Sequence, residues 1–225
     1  NIFKSHKPDD ARNALNDIDF LKNIGAYKTD RESGITGLTV AGLLMFGKSI
    51  SIEDALPNYN LDYQERPRAV TEQRWIDRLT IDGSWSGNVF DFYRIVINKL
   101  FANIKVPFKL EGDKRKDDTP VHHAIREALI NTLVHADFTD RISVLIVKRP
   151  DMFGFRNPGN MRIPIEVAIK GGESDCRNRI LQKMFMLIGF SERAGSGIPN
   201  IFSGWSSQNW AKPLQYEKTN PNQTL

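Results

Sequence analysis

The first residues in this sequence that could do chemistry are a carboxylate and a carboxamide spaced one helical turn apart. They are Glu127 and Asn131, within the stretch TPVHHAIREALINTLVHADF that runs from Thr119 to Phe138. Thr119 suits an N-cap and Pro120 suits the first helical position, so the stretch predicts a helix with a defined start. Residues at this spacing project from the same side of a helix. The sequence therefore predicts an acid and an amide held close together.

The composition of this helix predicts that the pair is mostly buried. Val121, Ile125 and Leu129 recur at helical spacing, and Ile130 and Val134 lie off that stripe but are apolar too. Burying polar groups costs free energy unless something binds them. The pair either binds a ligand or hydrogen-bonds neighbouring groups of the protein, and both roles stay open at this point.

The sequence motifs around the pair resemble those of a known family. REALINTLVHADF (126–138) is similar to the N-box helix of the GHKL (Bergerat-fold) nucleotide-binding domains, in the variant found in RecG-helicase-related transcriptional regulators. Three further motifs occur in the same order in that family, namely TGLTVAGLLMFGK (36–48), FRNPGNM (155–161) and CRNRILQKMFMLIGFSERAGSGI (176–198). The resemblance covers residues 36–215. It implies a GHKL-like α/β sandwich of two layers, with a mixed sheet and helices on one face.

The resemblance also implies a site for ATP and Mg²⁺. Asn131 would ligate Mg²⁺ through its carboxamide oxygen, and Glu127 would orient and deprotonate the attacking water. Asn157 and Gly159 stand where better-known members read the adenine base, although an asparagine accepts a hydrogen bond without supplying an aspartate's charge. The remaining candidates would meet the phosphates, from a glycine-bearing helix N-terminus (Gly195, Ser196, Gly197) and from a lid (Arg177, Asn178).

A second nucleotide-binding pattern occurs at 42–49, where GLLMFGKS matches the letters of a P-loop. A P-loop needs small residues between a strand and a helix N-terminus, whereas LLMF is bulky and apolar. The sequence instead predicts a short buried helix from Thr39 to Gly47, followed by no clear amphipathic helix over 50–59. A P-loop NTPase is therefore the least favoured alternative.

The histidines and the single cysteine do not form a recognisable metal site. His122, His123, His135 and Asp137 lack the spacing of zinc ligands, and Cys176 is the only thiol, which excludes a disulfide within the chain. We expect His135 to be structural at the helix end and Cys176 to be inert.

Length, charge and composition limit which classes of protein this chain can belong to. A chain of 225 residues can bury a sizeable core, and a net charge of +4 is too weak to indicate nucleic-acid binding by itself. No apolar run is long enough to span a bilayer and no signal peptide opens the chain, so we expect a cytoplasmic protein without a membrane partner. The start without Met and the polar end NPNQTL suggest a piece of a longer protein.

The remaining patterns predict the order of elements and domains. Helices are expected at 8–25, 86–104, 165–170, 179–188 and from Gly197 to 202, strands at 141–148 and 151–156 with two more within 58–84, and loops at 28–34, 111–118 and 171–178. We expect an N-terminal helix and linker (1–35), an α+β region (36–114), a nucleotide-binding domain (115–215) and a C-terminal tail (216–225).

Taken with the resemblance, these patterns predict an ATP-binding module of a DNA-associated transcriptional regulator, in which slow hydrolysis acts as a conformational switch. Its partners would be an adenine nucleotide and, by family analogy, DNA through domains missing from this chain. Homo-oligomerisation is left open. The alternative is a degenerate scaffold that keeps the fold for protein interaction or dimerisation without nucleotide, and the asparagine at 157 favours it.

Overall fold

The chain folds into short helices and strands, which a computed structural model describes over residues 2–68, 74–102, 104, 109–111, 114–116, 118–190, 195–208 and 210–225. The helices there are α1 (Ile2–His6), α2 (Asp17–Ile24), α3 (Val40–Phe46), α4 (Ser49–Ala55), α5 (Val89–Phe101), α6 (Pro120–His135), α7 (Ile165–Lys170), α8 (Arg179–Leu187) and α9 (Gly197–Ser206). Within these described ranges, none of the helices has the length and apolar character needed to cross a membrane.

Ten short strands complete the described elements. They are β1 (Tyr27–Thr29), β2 (Thr36–Leu38), β3 (Leu61–Glu65), β4 (Asp77–Leu79), β5 (Lys109–Glu111), β6 (Lys114–Lys116), β7 (Val144–Arg149), β8 (Met152–Pro158), β9 (Glu217–Lys218) and β10 (Gln223–Thr224). Six of them form one sheet in the order β4, β3, β7, β8, β10, β9. β3 and β7 run parallel, and the other neighbours are antiparallel.

The sheet buries one face against helices. Along β7, Val144, Ile146 and Lys148 are buried while the residues between them are less so, which is the alternation of a sheet covered on one side. The two apolar residues of this set join a single core with the buried residues of α5 and α6. This arrangement confirms the predicted two-layer α/β sandwich with a mixed sheet.

The central helix forms as its sequence predicts. Pro120 is its first residue, and Thr119 precedes it in a capping box whose other member is His122. His122 Nδ1 accepts a hydrogen bond from Thr119 N at 3.3 Å. Apolar residues are buried on several sides of the helix, among them Val121, Ile125, Leu129, Ile130, Leu133 and Val134. α6 therefore lies within the core instead of on its surface.

The GLLMFGKS pattern lies in a helix and not in a loop. Thr39 caps α3 by accepting a hydrogen bond from Gly42 N at 3.1 Å, and Gly47 ends the helix. A Cβ at Gly42 would clash with the carbonyl group of Ala26. Glycine is required at 42 for close backbone packing. A short helix, α4, does follow Lys48 where we expected none, but a helix instead of a strand precedes it, so the P-loop context is missing.

Two expectations for the first 40 residues were wrong. The helix predicted at 8–25 is broken into a 3₁₀ turn (Ala11–Ala14) and α2, because Asn16 caps α2 by accepting a hydrogen bond from Asp19 N at 2.9 Å. The predicted end at Gly25 is confirmed, with a left-handed φ of 85°. The expected linker at 28–34 instead forms the turn of the β1–β2 hairpin.

Two further segments contain strands where the sequence predicted none. The loop expected at 111–118 includes β6 and the end of β5, while residues 112, 113 and 117 lie outside the described ranges. The tail expected at 216–225 holds β9 and β10, and β10 pairs with β8. The last ten residues are therefore part of the main sheet.

Replacing Gly42 with Ala should lower the free energy of unfolding by about 1–3 kcal/mol, because the added methyl group meets fixed backbone at Ala26. Gly37→Ala is the matched control, since a Cβ there has open space around it, and it should stay within about 0.5 kcal/mol of the parent. Urea unfolding measures both values. Equal stability of the two variants would contradict the packing role of Gly42.

Candidate functional site

The two polar residues of the central helix meet the N-terminus of α9. A Cβ at Gly197 would lie 2.5 Å from Glu127 Oε1 and 2.6 Å from Asn131 Nδ2. Glu127 is 8 % exposed and Asn131 is half-buried. Both atoms are the far ends of side chains, so a Cβ at position 197 would displace Glu127 and Asn131 from these positions. The structure thus brings together Glu127, Asn131 and Gly197.

The loop after α7 begins, at Gly171 and Gly172, against the start of α9. Gly172 N donates to Gly195 O at 3.0 Å. A Cβ at Gly171 would lie 2.6 Å from Cγ of Pro199, and both loop glycines and Gly195 have positive φ. Sequence reasoning missed this contact, although two adjacent glycines are a signal for close backbone approach. Gly195 and Ser196 are held beside the α6 pair by this loop.

This arrangement has a clear electrostatic character. Backbone amides at the N-terminus of α9, a helix of 10 residues, favour negative charge, and the Glu127 carboxylate lies directly beside them. Oxygen atoms of Glu127 and Asn131 are hard donors suited to a small divalent cation. Within the described ranges no group of three or more His, Cys, Asp or Glu side chains could hold a metal ion. A cation here would therefore need further oxygens from a ligand.

Arg177 and Asn178 lie at the other end of α6. Asn178 Nδ2 donates to Val134 O at 3.0 Å and to Ala136 O at 2.8 Å. Arg177 Nε donates to His135 O at 3.1 Å. These bonds satisfy carbonyl groups that the last turn of a helix leaves without partners. The structure uses both side chains to cap the central helix.

Asn157 and Gly159 lie next to this capped end. Asn157 is 8 % exposed, and its Nδ2 donates to Pro158 O at 3.3 Å. Gly159 has a φ of 87°, and a Cβ there would lie 2.9 Å from Arg177 Nη2. Thr224 Oγ1, on β10, donates to Gly159 O at 2.9 Å. The turn is therefore enclosed between the last strand and the end of α6.

Asp137 connects the turn to the helix. Its backbone N donates to Pro158 O at 3.0 Å, and its Oδ2 lies 3.5 Å from Arg177 Nη1. Burial raises the pKa of Asp137, but hydrogen bonds from Thr139 and the charge of Arg177 outweigh it, so the pKa is lowered overall. This carboxylate stays charged at neutral pH and holds Arg177 in place.

The candidate residues thus form two groups along one helix. Glu127, Asn131 and the α9 N-terminus form the first, and the turn at 157–159 with Arg177 and Asn178 forms the second. Asn131 and Asp137 are six residues apart, roughly 9 Å along a helix axis or its continuation. A ligand that touched both groups would extend from the middle of α6 past its C-terminal end.

His135 and Cys176 are placed as structural groups. Burial lowers the pKa of His135, and the charge of Arg177 lowers it further. Burial raises the pKa of the Cys176 thiol, whose Sγ lies 3.5 Å from Val134 O. A raised pKa leaves little thiolate at neutral pH, which makes this cysteine a poor nucleophile.

Two family models match parts of the chain. Residues 1–62 match a domain of unknown function (DUF8451). Residues 138–223 match the family described as "Putative ATP-dependent DNA helicase recG C-terminal". The second match supports a RecG-related, ATPase-like region and begins directly after the central helix. It includes the second group and the α9 N-terminus, whereas Glu127 and Asn131 precede it.

A solved structure shares the fold of the whole chain. The crystal structure of the DIP2311 protein from Corynebacterium diphtheriae superposes with a TM-score of 0.71 at 19 % sequence identity. The match covers 99 % of this chain but 42 % of that protein, so the chain spans less than half of the length of its structural relative. At this identity the likeness concerns the fold alone. Comparison with curated proteins gives no match.

The partly buried His135 should make the protein less stable as the pH falls below its ordinary pKa of about 6.5. The pKa in the folded state is lowered, so the unfolded chain takes up the proton first. The contribution to stability is fully present above pH 6.5 and is lost as the pH falls toward the folded pKa.

Urea unfolding at neutral pH and at mildly acidic pH measures this loss. His135→Gln should lose less stability on acidification than the parent protein does. His123→Gln changes an exposed histidine of the same helix, 54 % exposed at its side chain, and should follow the parent. An unchanged pH dependence in His135→Gln would contradict the assignment.

Proposed function

We propose that this chain is an ATP-binding module of the GHKL type that acts as a nucleotide-controlled switch within a larger, RecG-related transcriptional regulator in the cytoplasm. The observation that carries the proposal is the contact of Gly197 with Glu127 and Asn131. It joins oxygen donors suited to a divalent cation with helix N-terminal amides suited to phosphate. The RecG-related family match supports nucleotide use by residues 138–223, which include Gly197.

The donor chemistry fits ATP and Mg²⁺. Asn131 would hold Mg²⁺ through its carboxamide oxygen, and the amides of Gly195, Ser196 and Gly197 would hold phosphate groups. Bound ATP would supply the phosphate oxygens that complete the coordination of the cation, which Mg²⁺ sites in proteins usually take from the substrate.

The second group would receive the base. The carboxamide of Asn157 can accept a hydrogen bond from an exocyclic amino group, and Gly159 leaves its backbone accessible for close approach. Arg177 and Asn178 serve the site by fixing the end of α6, because their donors already bond its carbonyl groups. Direct contact of the Asn178 amide group with phosphate would require its hydrogen bonds to break, because both of its hydrogens are used, at a cost of about 1–3 kcal/mol for each carbonyl left unpaired.

Glu127 is the proposed general base. Its carboxylate is buried and lies beside the α9 amides, so it would orient a water molecule and accept its proton. The close fit at Gly197 supports a switch, because a phosphate that reached these amides would require α9 to move away from α6. Hydrolysis and release would allow α9 to return. By family analogy, the DNA site of the regulator would be bound by domains outside this chain.

A specific observation favours the alternative, a scaffold that binds no nucleotide. The ends of the Glu127 and Asn131 side chains fill the space at Gly197, and Glu127 itself provides a negative charge at the N-terminus of α9. In this alternative the pair on α6 stabilises the helix packing, and the module serves protein interaction or dimerisation. Nucleotide binding by the purified chain separates the two functions.

Asn131→Ala should weaken Mg²⁺-dependent ATP binding at least about tenfold, because it removes a cation ligand that is only half-buried. Titration calorimetry with and without Mg²⁺ measures the change. Lys48→Ala, in the GLLMFGKS segment, is the control and should bind like the parent. If the parent shows no binding at millimolar ATP, the switch is excluded and the scaffold function remains.

Glu127→Gln should lower ATP hydrolysis by about 100-fold or more, the loss typical of a missing general base, while ATP binding is kept. Binding is expected to be equal or tighter, since a negative charge near the phosphates is removed. A coupled phosphate-release assay measures turnover. Equal turnover by the parent and the variant, above the level of a mock purification, would exclude Glu127 as the base.

A further inference from the structure

An arginine-rich cleft lies on the sheet face that points away from the core. Along β3, Tyr63 is fully buried in the core, so its neighbours Asp62 and Gln64 point to the opposite face. A cleft of about 430 Å³ on that face is lined by Gln64, Arg66, Arg74, Trp75 and Arg78. None of the residues proposed to bind ATP belongs to it. Its volume is that of a small-molecule site.

The cleft is positively charged and partly pre-arranged. Arg78 forms a two-bond pair with Asp62, Nε and Nη2 each lying 3.0 Å from a carboxylate oxygen. Gln64 Nε2 donates to Asp62 Oδ2 at 2.6 Å, which leaves the Gln64 oxygen to accept hydrogen bonds from Arg66. Arg66 therefore bonds an uncharged group. The described residues that line the cleft include three arginines and no carboxylate.

Asp62 balances the charge of Arg78, and the surrounding chain adds further basic residues. Segment 66–78, RPRAVTEQRWIDR, carries four arginines against Glu72 and Asp77. Asp77 instead pairs with Lys99, at 2.5 Å. The local sequence is thus basic although the net charge of the whole chain is small. An anion is the ligand that this chemistry favours.

Positive charge continues across the sheet. Arg156 on β8 lies opposite Leu145 on β7, which in turn lies opposite Asp62 on β3. This places Arg156 two strand spacings from the cleft strand, about 10 Å. Its Nη2 donates to Ser143 O and Oγ, while its buried Nε has no acceptor within the described part of the chain. The same face therefore carries a further arginine beyond the cleft, across the strand β7 from Asp62.

Trp75 distinguishes among anionic ligands. Its indole is 37 % exposed, and the guanidinium of Arg78 lies 4.7 Å from its ring centroid. An arginine-backed, partly exposed aromatic ring is a platform for a nucleobase, and adjacent arginines can bind the phosphates on either side. An acidic peptide would use the charges but has no planar group to stack on the indole.

We propose that this cleft and the adjoining sheet face bind single-stranded nucleic acid, with a base stacked on Trp75 and phosphates at Arg66 and Arg74. The strand would continue toward β8 and Arg156. This interaction uses residues separate from the ATP site, so it does not depend on the proposed switch.

The test is fluorescence anisotropy of a labelled oligothymidylate with the purified chain at low salt and without ATP. Arg66→Glu combined with Arg74→Glu should weaken binding at least about tenfold and reduce its salt dependence. Trp75→Ala should weaken binding by roughly 5- to 100-fold, the effect of losing one stacked base, and Trp75→Phe should restore part of the loss. Urea unfolding measures whether each variant is folded. If the double variant is unfolded, the loss of oligonucleotide binding in Trp75→Ala or in Arg74→Glu alone tests the proposal.

The matched control reverses the charge of two exposed arginines on the helix side of the sheet. It combines Arg94→Glu on α5 with Arg179→Glu on α8 and should bind the oligonucleotide like the parent. Asn131→Ala should also bind like the parent, which separates this result from the outcome for ATP. If the control pair weakens oligonucleotide binding equally, the binding is a non-specific attraction between the protein's net charge and the oligonucleotide, and the proposal is overturned. Displacement of the oligonucleotide by poly-glutamate as readily as by unlabelled oligothymidylate would overturn it too, in favour of an acidic protein partner.

Discussion

The packing of α9 on α6 is the constraint on which the candidate site depends. Two glycines of α9 make it possible, because a Cβ at Gly197 would meet Glu127 and Asn131 and a Cβ at Gly204 would clash with Pro120 O. The two glycines are seven residues apart, about two helical turns, so they lie on the same side of α9. This side fits closely along the central helix. Because both positions are glycines, the amides at the start of α9 can lie close to Glu127 and Asn131.

The same central helix is held at both ends. The capping box and Gly204 fix its start, and Asn178 and Arg177 bond the carbonyl groups of its last turn. A close-packed interior does not deform gradually, so a ligand that separated α9 from α6 would have to break the glycine contacts as a unit. Two arrangements of α9, closed on α6 or released from it, are what a nucleotide switch requires. A scaffold would remain in the closed one.

Local signals made the central helix and its polar pair predictable, whereas distant contacts were not. A proline, an N-cap and helical periodicity lie within α6 itself, and the spacing of Glu127 and Asn131 follows from them. By contrast, β10 is only two residues long and gains its place by pairing with β8. The capping of α6 by Asn178 likewise joins residues 42 to 44 positions apart, which no local pattern encodes. The break before α2 was missed because apolar spacing continues across it, while Asn16 starts a new helix.

The two proposed binding regions lie on opposite sides of one sheet, and the alternation of β3 explains how. Tyr63 enters the core that supports α6, and Asp62 and Gln64 organise the arginines on the other face. β3 pairs with β7 over five residue positions, and this pairing does not involve α9. In the proposed switch the sheet stays in place, and α9 with its glycine-bearing loop responds to the nucleotide. Release of α9 would leave the arginine cleft unchanged, so the two faces should bind their ligands independently.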